Sequence, residues 1–257
     1  MLRFRSLGSG STGNATLVEA RDLLPTRLLV DCGLGIRQLT QRLEQSGLAL
    51  DDLDAIFITH EHSDHIGCAH ALSQRLRIPV WMSGGTHAGS GAKDFDGLLR
   101  RARDGIPIVI GGMQITPFGV PHDAREPLQL SCTDGAAKLG ILTDLGHATP
   151  SVLSALHRCD ALLLESNHDV DLLAQSSYPD FLKRRVGGLH GHLSNSVAAG
   201  LARELTHPGL KHLVAAHLSA QNNRPALVKA LMGQTLGCAP TDIVIAGPLD
   251  GTPWLAL

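Results

Sequence analysis

Three histidines and an aspartate fall within six residues, His60-Glu61-His62-Ser63-Asp64-His65, directly after an apolar run at 53–59. That run, LDAIFIT, reads as a buried strand, so the polar cluster stands where the strand ends. A loop turning there can send His60 and His62 one way and Asp64 and His65 the other. Two cations then fit a few ångström apart, each between imidazole and carboxylate donors. A lone loop histidine is ordinarily a satisfied polar side chain. Four metal-competent side chains at the mouth of one strand constrain the chain much more tightly.

A two-metal centre needs ligands from outside the loop, and candidates recur each time an apolar strand ends. His122 follows a strand read at 113–120, Asp144 follows one at 138–143 and His217 follows one at 212–216. The carboxyl ends of strands are where open α/β sheets assemble their sites. Seven candidate metal ligands result: His60, His62, Asp64, His65, His122, Asp144 and His217.

The remaining pattern alternates strands with helices in both halves, without repeat or linker, which predicts one α/β domain over residues 1–257. Segments 16–20 and 27–31 flank a turn at Pro25 and read as a hairpin. Ile36, Leu39 and Leu43 give an amphipathic helix between Gly35 and Ser46, closed by Gly47. Strands at 128–133 and 138–143 are joined across Asp134-Gly135. Thr149-Pro150 opens a helix with Val152, Leu153 and Leu156 inward, followed by a strand at 161–165. Ser194 or Asn195 caps a further helix with Val197, Leu201 and Leu205 on one face. This rhythm suits two packed mixed sheets with helices outside.

Composition narrows the function classes. The chain has 14 His against 24 acidic and 22 basic residues, which points to metal or proton chemistry. Its five cysteines are widely spaced and form no Cys-x-x-Cys pair, so neither a disulfide framework nor a thiolate zinc site is predicted. A reduced, cytoplasmic setting fits that usage. The amino-terminal stretch turns to glycine and serine before an apolar h-region can form, and no run approaches the length of a membrane span. A net charge of −2 gives no global attraction to nucleic acid, leaving local basic clusters such as Arg100–Arg103 and Lys183–Arg185.

The HEHSDH motif, His122, Asp144, His192 in Gly-His-Leu-Ser-Asn and His217 together resemble the metallo-β-lactamase-fold hydrolases over nearly the whole chain. More narrowly, SLGSGSTGN at 6–14, Asp31-Cys32-Gly33, Glu165-Ser166-Asn167-His168-Asp169 and Lys183-Arg184-Arg185 are similar to the YycJ/WalJ group, relatives of the RNase J and tRNase Z nucleases. The resemblance implies an α/β fold, a four-layer αββα sandwich, with a dinuclear centre at the edge of the facing sheets. His60, His62 and His122 would hold one metal, Asp64, His65 and His217 the other, and Asp144 would bridge them. Asp64 is also a catalytic candidate. The chain has no room for an extra substrate-clamping domain between Asp144 and His192, which weighs against long structured RNA as substrate.

Imidazole and carboxylate donors without thiolate suit two divalent ions, Zn or Mn. Metals sharing a water lower its pKa to roughly 7 and present hydroxide to an electrophile. The resemblance places His192 outside the ligand set, serving the phosphate and the leaving oxygen as a general acid. The loop from Gly8 to Asn14 offers backbone amides and the side chains of Ser9, Ser11 and Asn14 to a terminal phosphate, or is simply a tight turn. Arg184 or Arg185, at most one of which faces the site, would pair with a phosphate. Asn167 and Ser194 complete the candidate substrate contacts. The favoured reading is a phosphodiesterase on single-stranded nucleic acid, an exonuclease running 5′ to 3′. The alternative is a small-molecule hydrolase cleaving a cyclic or short phosphodiester, a thioester or a lactone, which the few aromatic residues favour because they leave few platforms for bases. Oligomeric state is not encoded in any readable feature.

Overall fold

A computed structural model describes all residues, 1–257. The first half of the chain lays down β1 (Leu2–Gly8), β2 (Ala15–Arg21), β3 (Pro25–Val30), β4 (Ala55–Phe57), β5 (Val80–Met82) and β6 (Leu99–Arg101). The second supplies β7 (Ile108–Ile110), β8 (Met113–Gly119), β9 (Leu128–Thr133), β10 (Lys138–Leu142), β11 (Ala161–Glu165), β12 (His212–Ala216) and β13 (Val244–Ile245). A last short strand, β14 (Leu255–Ala256), returns to pair with β1. Two seven-stranded mixed sheets result, ordered β14-β1-β2-β3-β4-β5-β6 and β13-β12-β11-β10-β9-β8-β7.

Alternation along each strand explains how the sheets stack, because successive side chains point to opposite faces. Leu2, Phe4, Val18, Leu28, Val30 and Phe57 of one sheet meet Met113, Ile115, Leu130, Leu139, Ile141, Leu163 and Val214 of the other in a fully buried central layer. The opposite faces carry helices. Leu17, Leu29 and Ile56 pack under α1 (Ile36–Glu44), where Leu39 and Leu43 turn inward, and under the following turns at α2 (Ser63–Ile66) and α3 (Ala69–Leu76). After a short α4 (Gly84–Gly89), the second sheet buries Leu142, Leu162 and Leu164 against α5 (Pro150–Leu156) and the two long helices near the carboxyl end of the chain. Between them α6 (Val170–Gln175) and α7 (Asp180–Val186), which buries no side chain, lie outside this core, and the long helices are α8 (Asn195–Leu205) and α9 (Pro225–Leu236). The four-layer αββα sandwich anticipated from the resemblance is the fold.

Local chemistry sets several boundaries as expected. Thr149 accepts a hydrogen bond from the Val152 amide and Pro150 occupies the first helical turn of α5. Ser194, not Asn195, caps α8. The inward face of α8 differs from the expected one: Val197 is exposed, while Ala198, Leu201, Ala202 and Leu205 are buried. At the outer surface of the hairpin β2–β3, Glu19 is fully buried and receives Arg3 at 2.6 Å and Arg27 at 2.8 Å, with Arg21 alongside. Burial raises its carboxyl, but hydrogen bonds from Arg3, Arg21 and Arg27 outweigh that and bring it down to about 2.

Five strand ends gather at one edge of the sandwich. β3 runs parallel to β4, and β10, β11 and β12 run parallel to one another, so their carboxyl ends emerge together there. Three residues at that edge leave the strand in the left-handed region: Asp31 (φ 61°), Asp144 (φ 54°) and His217 (φ 54°). That turn of the backbone takes each chain off the sheet and into the loops above it. No helix is long and apolar enough to cross a membrane.

Candidate metal centre

The loop after β4 carries His60 to His65, and its fixed points are hydrogen bonds to neighbouring strand ends. Asp31 accepts from the Thr59 amide at 2.9 Å and from its hydroxyl at 3.0 Å, and its other oxygen lies 2.7 Å from Nδ1 of His65. The Asn14 amide nitrogen lies 3.1 Å from Nε2 of His65 and 3.3 Å from the Asp64 carbonyl. On the opposite sheet, Glu165 ends β11. Its Oε2 accepts from the amides of Leu145 and Leu193, and its Oε1 lies 2.7 Å from Nδ1 of His192 and 3.3 Å from Nδ1 of His217.

The ring nitrogens sort themselves by these contacts. Nδ1 of His65 faces Asp31, Nδ1 of His122 faces the Gly191 carbonyl at 3.0 Å, Nδ1 of His60 faces the Thr59 hydroxyl at 3.0 Å and Nδ1 of His217 faces Glu165. An oxygen on one ring nitrogen fixes the tautomer and leaves the other as a lone pair, the arrangement that metal-ligating histidines adopt. His62 is the exception, its Nδ1 lying 3.0 Å from Nε2 of His60 and 3.4 Å from Nε2 of His122.

Ligand-capable atoms therefore converge in overlapping sets: His60, His62 and His122; Asp64, His65 and His217; and His60, His65 and Asp144, each set within 4.8 Å. These are the groupings that the resemblance implied, with Asp144 2.9 Å from His65 and 3.4 Å from His217. A fourth set joins Asp144, His192 and His217 with Glu165. Nε2 of His217 is buried and makes no hydrogen bond, its nearest carboxylate oxygen being that of Asp64 at 3.6 Å. A buried polar atom left unpaired costs about 1–3 kcal/mol, so the donor set fits divalent cations better than it fits itself.

Charge within the site is tightly coupled. Burial alone would depress His217, but Asp144, Asp64 and Glu165 around it hold it up to about 10. Burial would raise Glu165, and the neighbouring His192 and His217 bring it down to about 2. Asp144 is likewise held well below the usual carboxylate range, against its burial, by His217 and His65. His60 and His122 are lowered, chiefly by burial.

A cleft of about 310 Å³ opens over this cluster, lined by His62, Ser63, Asp64, Asp123, Arg185, Val186, Gly191 and His192. Of the two adjacent arginines, Arg185 lines it, paired with Asp123, and Arg184 lies exposed outside. Most of the other substrate candidates serve a different end. The Ser9 hydroxyl accepts from the His217 amide, Asn14 braces the Asp64–His65 turn, and Asn167, 4% exposed, donates to the His217 carbonyl. Ser194 is committed to its helix cap. Ser11 alone in that set is exposed. One physical cause covers Ser9, Asn14 and Asn167: a polar cluster at a sheet edge needs struts, and polar residues in adjoining loops supply them. Asp123 carries no signal in the sequence, and Asp31 and Glu165 stand out there only as members of motifs. The rule that exposes His122, Asp144 and His217, a polar side chain at the end of an apolar strand, applies equally to Asp31 and Glu165.

Comparison with known proteins agrees with this geometry. The family described as "Beta-lactamase superfamily domain" matches residues 26–218. Exodeoxyribonuclease YycJ of Bacillus anthracis is 32% identical over 91% of this chain and 89% of its own length. Exodeoxyribonuclease WalJ of Streptococcus pneumoniae is 31% identical over 92% and 89%. In fold, the chain resembles the metallo-β-lactamase fold protein YhfI of Bacillus subtilis, with a TM-score of 0.76 at 19% identity over 99% of this chain and 98% of that one. The chain thus belongs to the β-lactamase superfamily of metal-dependent hydrolases, and within it to the YycJ/WalJ group.

Proposed function

We propose that the chain is an exonuclease that removes nucleotides from single-stranded nucleic acid in the 5′ to 3′ direction, with DNA as first choice because its YycJ and WalJ relatives carry the name exodeoxyribonuclease. The observation that carries the reading is the placement of a carboxylate-held histidine, His192, and a guanidinium, Arg185, in the cleft above the ligand cluster. A thioester or lactone has no use for that pairing, whereas a phosphodiester needs charge against its oxygens and a proton for its leaving oxygen.

In this reading His60, His62 and His122 would hold one divalent ion and Asp64, His65 and His217 the second, with Asp144 within reach of both sets; imidazole and carboxylate donors suit Zn or Mn. Such ions supply Lewis acidity and bring the pKa of water to roughly 7. The chain's own residues do the rest. Arg185 meets the non-bridging oxygens of the phosphate at the cleft's mouth. His192 keeps its proton because Glu165 accepts from Nδ1, and Nε2 passes a proton to the oxygen that leaves. Asp64, half-buried at the cleft floor, holds its ligand charge from within the same loop.

The test is direct competition. Metal-loaded protein is given end-labelled single- and double-stranded DNA and RNA beside a chromogenic phosphodiester and a thioester. Stepwise shortening of single-stranded DNA with the highest kcat/KM is the expected result. Intact strands with efficient turnover of the small diester or thioester would establish the small-molecule alternative instead.

A further inference from the structure

Wide spacing in the sequence argues against any disulfide, yet the fold brings two of the five cysteines together. Sγ of Cys32 and Sγ of Cys68 lie 3.3 Å apart, both as free thiols. The contact is built into the backbone. The Cys68 amide donates to the Cys32 carbonyl at 3.0 Å, and the Cys32 amide donates to the His65 carbonyl at 2.7 Å. Each cysteine has a glycine beside it at the point of closest approach. A Cβ at Gly67 would lie 2.4 Å from the Cys32 carbonyl oxygen, and one at Gly33 would fall 1.8 Å from the Asp64 carbonyl oxygen. Only glycine at both positions lets the end of β3 and the start of α3 run this close.

We infer that Cys32 and Cys68 form a site of oxidative modification, closing to a disulfide with a hydroperoxide as oxidant. Cys68 is half-buried and Cys32 is fully buried, which fixes the order of events. Sγ of Cys68 attacks the peroxide, breaking its O–O bond and leaving a sulfenic acid and one water (or alcohol). Sγ of Cys32 then displaces the hydroxyl from that sulfur as a second water. Two thiols and one peroxide thus become one disulfide and two oxygen-borne leaving molecules, with no further reductant or oxidant. The sulfurs need to approach from 3.3 Å to about 2.0 Å, within reach of side-chain rotation when the Cα atoms are already held by adjoining hydrogen bonds.

The bond would close the loop 32–68, and that loop contains every ligand candidate of the HEHSDH motif. The disulfide is therefore a staple on the metal loop. It holds the loop's two ends at their folded distance while His60, His62, Asp64 and His65 lie between them. Cys132, Cys159 and Cys238 have no such partner and stay reduced.

The experiment treats the full-length protein with stoichiometric hydrogen peroxide and counts thiols in denaturant. Five should fall to three, peptide mapping should find one intramolecular link between Cys32 and Cys68, and dithiothreitol should restore five. Tm should rise by roughly 5–10 °C on oxidation, the effect of closing a loop of this length. C68S, and separately C32S, should show no thermal shift with peroxide. Five thiols after treatment, a link between other cysteines, or overoxidation of Cys68 to sulfinic acid without a link would each overturn the inference. Because peptide mapping is done on the unsubstituted chain, the result stands even if either variant folds poorly.

Discussion

Oε1 of Glu165 and Nδ1 of His192 lie 2.7 Å apart, and the same carboxylate reaches Nδ1 of His217 at 3.3 Å, so one buried acid orients both a candidate ligand histidine and the histidine facing the cleft. The two roles separate experimentally. His192→Ala should lower kcat by about 10²–10⁴-fold while metal content, read by elemental analysis, stays whole. Loss of metal in that variant would make His192 a ligand.

The pH dependence comes from the same pair. Burial would lower His192, but the Glu165 carboxylate raises it above the ordinary imidazole value, so its proton is present at low pH and lost as pH rises through the raised value. A general acid in that state gives activity that falls on the alkaline side. Glu165→Gln removes the charge that raises His192, and the alkaline limb of kcat against pH should move to lower pH. An unmoved limb would mean that another group donates the proton.

Asp144 stands between the two imidazole sets, so Asp144→Ala should cut metal content and activity together, where the unsubstituted protein, purified without chelator, should approach two equivalents. A firm stoichiometry of one, unchanged by added Zn or Mn, would leave the second set of ligands without a purpose.

Arg185 lines the cleft and Arg184 does not. Arg185→Ala should raise KM for a single strand several-fold and make the salt dependence shallower by about 0.7 in log-log slope, from a starting slope near −2 for two or three phosphates held. Arg184→Ala should leave both quantities unchanged. A steep slope with strong base preference in the unsubstituted enzyme would show a longer grip than this cleft provides.

Far from the cleft, Glu19 offers a stability test. Its carboxyl is depressed from 4.5 to about 2, so its contribution is complete above pH 4.5 or so and disappears as pH falls toward 2. Glu19→Gln should cost about 1.5–3 kcal/mol at neutral pH, measured by urea unfolding, and the difference between variant and parent should close in acid. A difference independent of pH would assign the loss to packing rather than charge.

Much of the fold and of the candidate ligand cluster is readable from sequence because the signals are local. The HEHSDH cluster follows an apolar run, Thr149-Pro150 announces a helix, and β10, β11 and β12 are apolar segments ended by a polar residue. What stays hidden depends on sequence-distant partners. β1 joins β14 across nearly the whole chain, and β14 is only two residues long. Nothing near Ser9, Asn14 or Asn167 says that they brace His217 or the Asp64–His65 turn, contacts spanning up to 208 residues. Their polar side chains look the same in sequence whether they meet a substrate or a neighbouring strand end.

Asp31, Asp144 and His217 leave their strands with positive φ, a conformation that costs an L-residue with a side chain on the order of 1 kcal/mol and costs glycine almost nothing. The side chains offset that strain: Asp31 fixes Thr59 and His65, and Asp144 lies against His65 and His217, so glycine at either aspartate would leave buried imidazoles without that partner, a loss of about 3–5 kcal/mol that exceeds the backbone gain. A population of variants chosen only for resistance to heat should therefore keep its carboxylates at positions 31 and 144, and a survey of thermostable variants should find few glycines there.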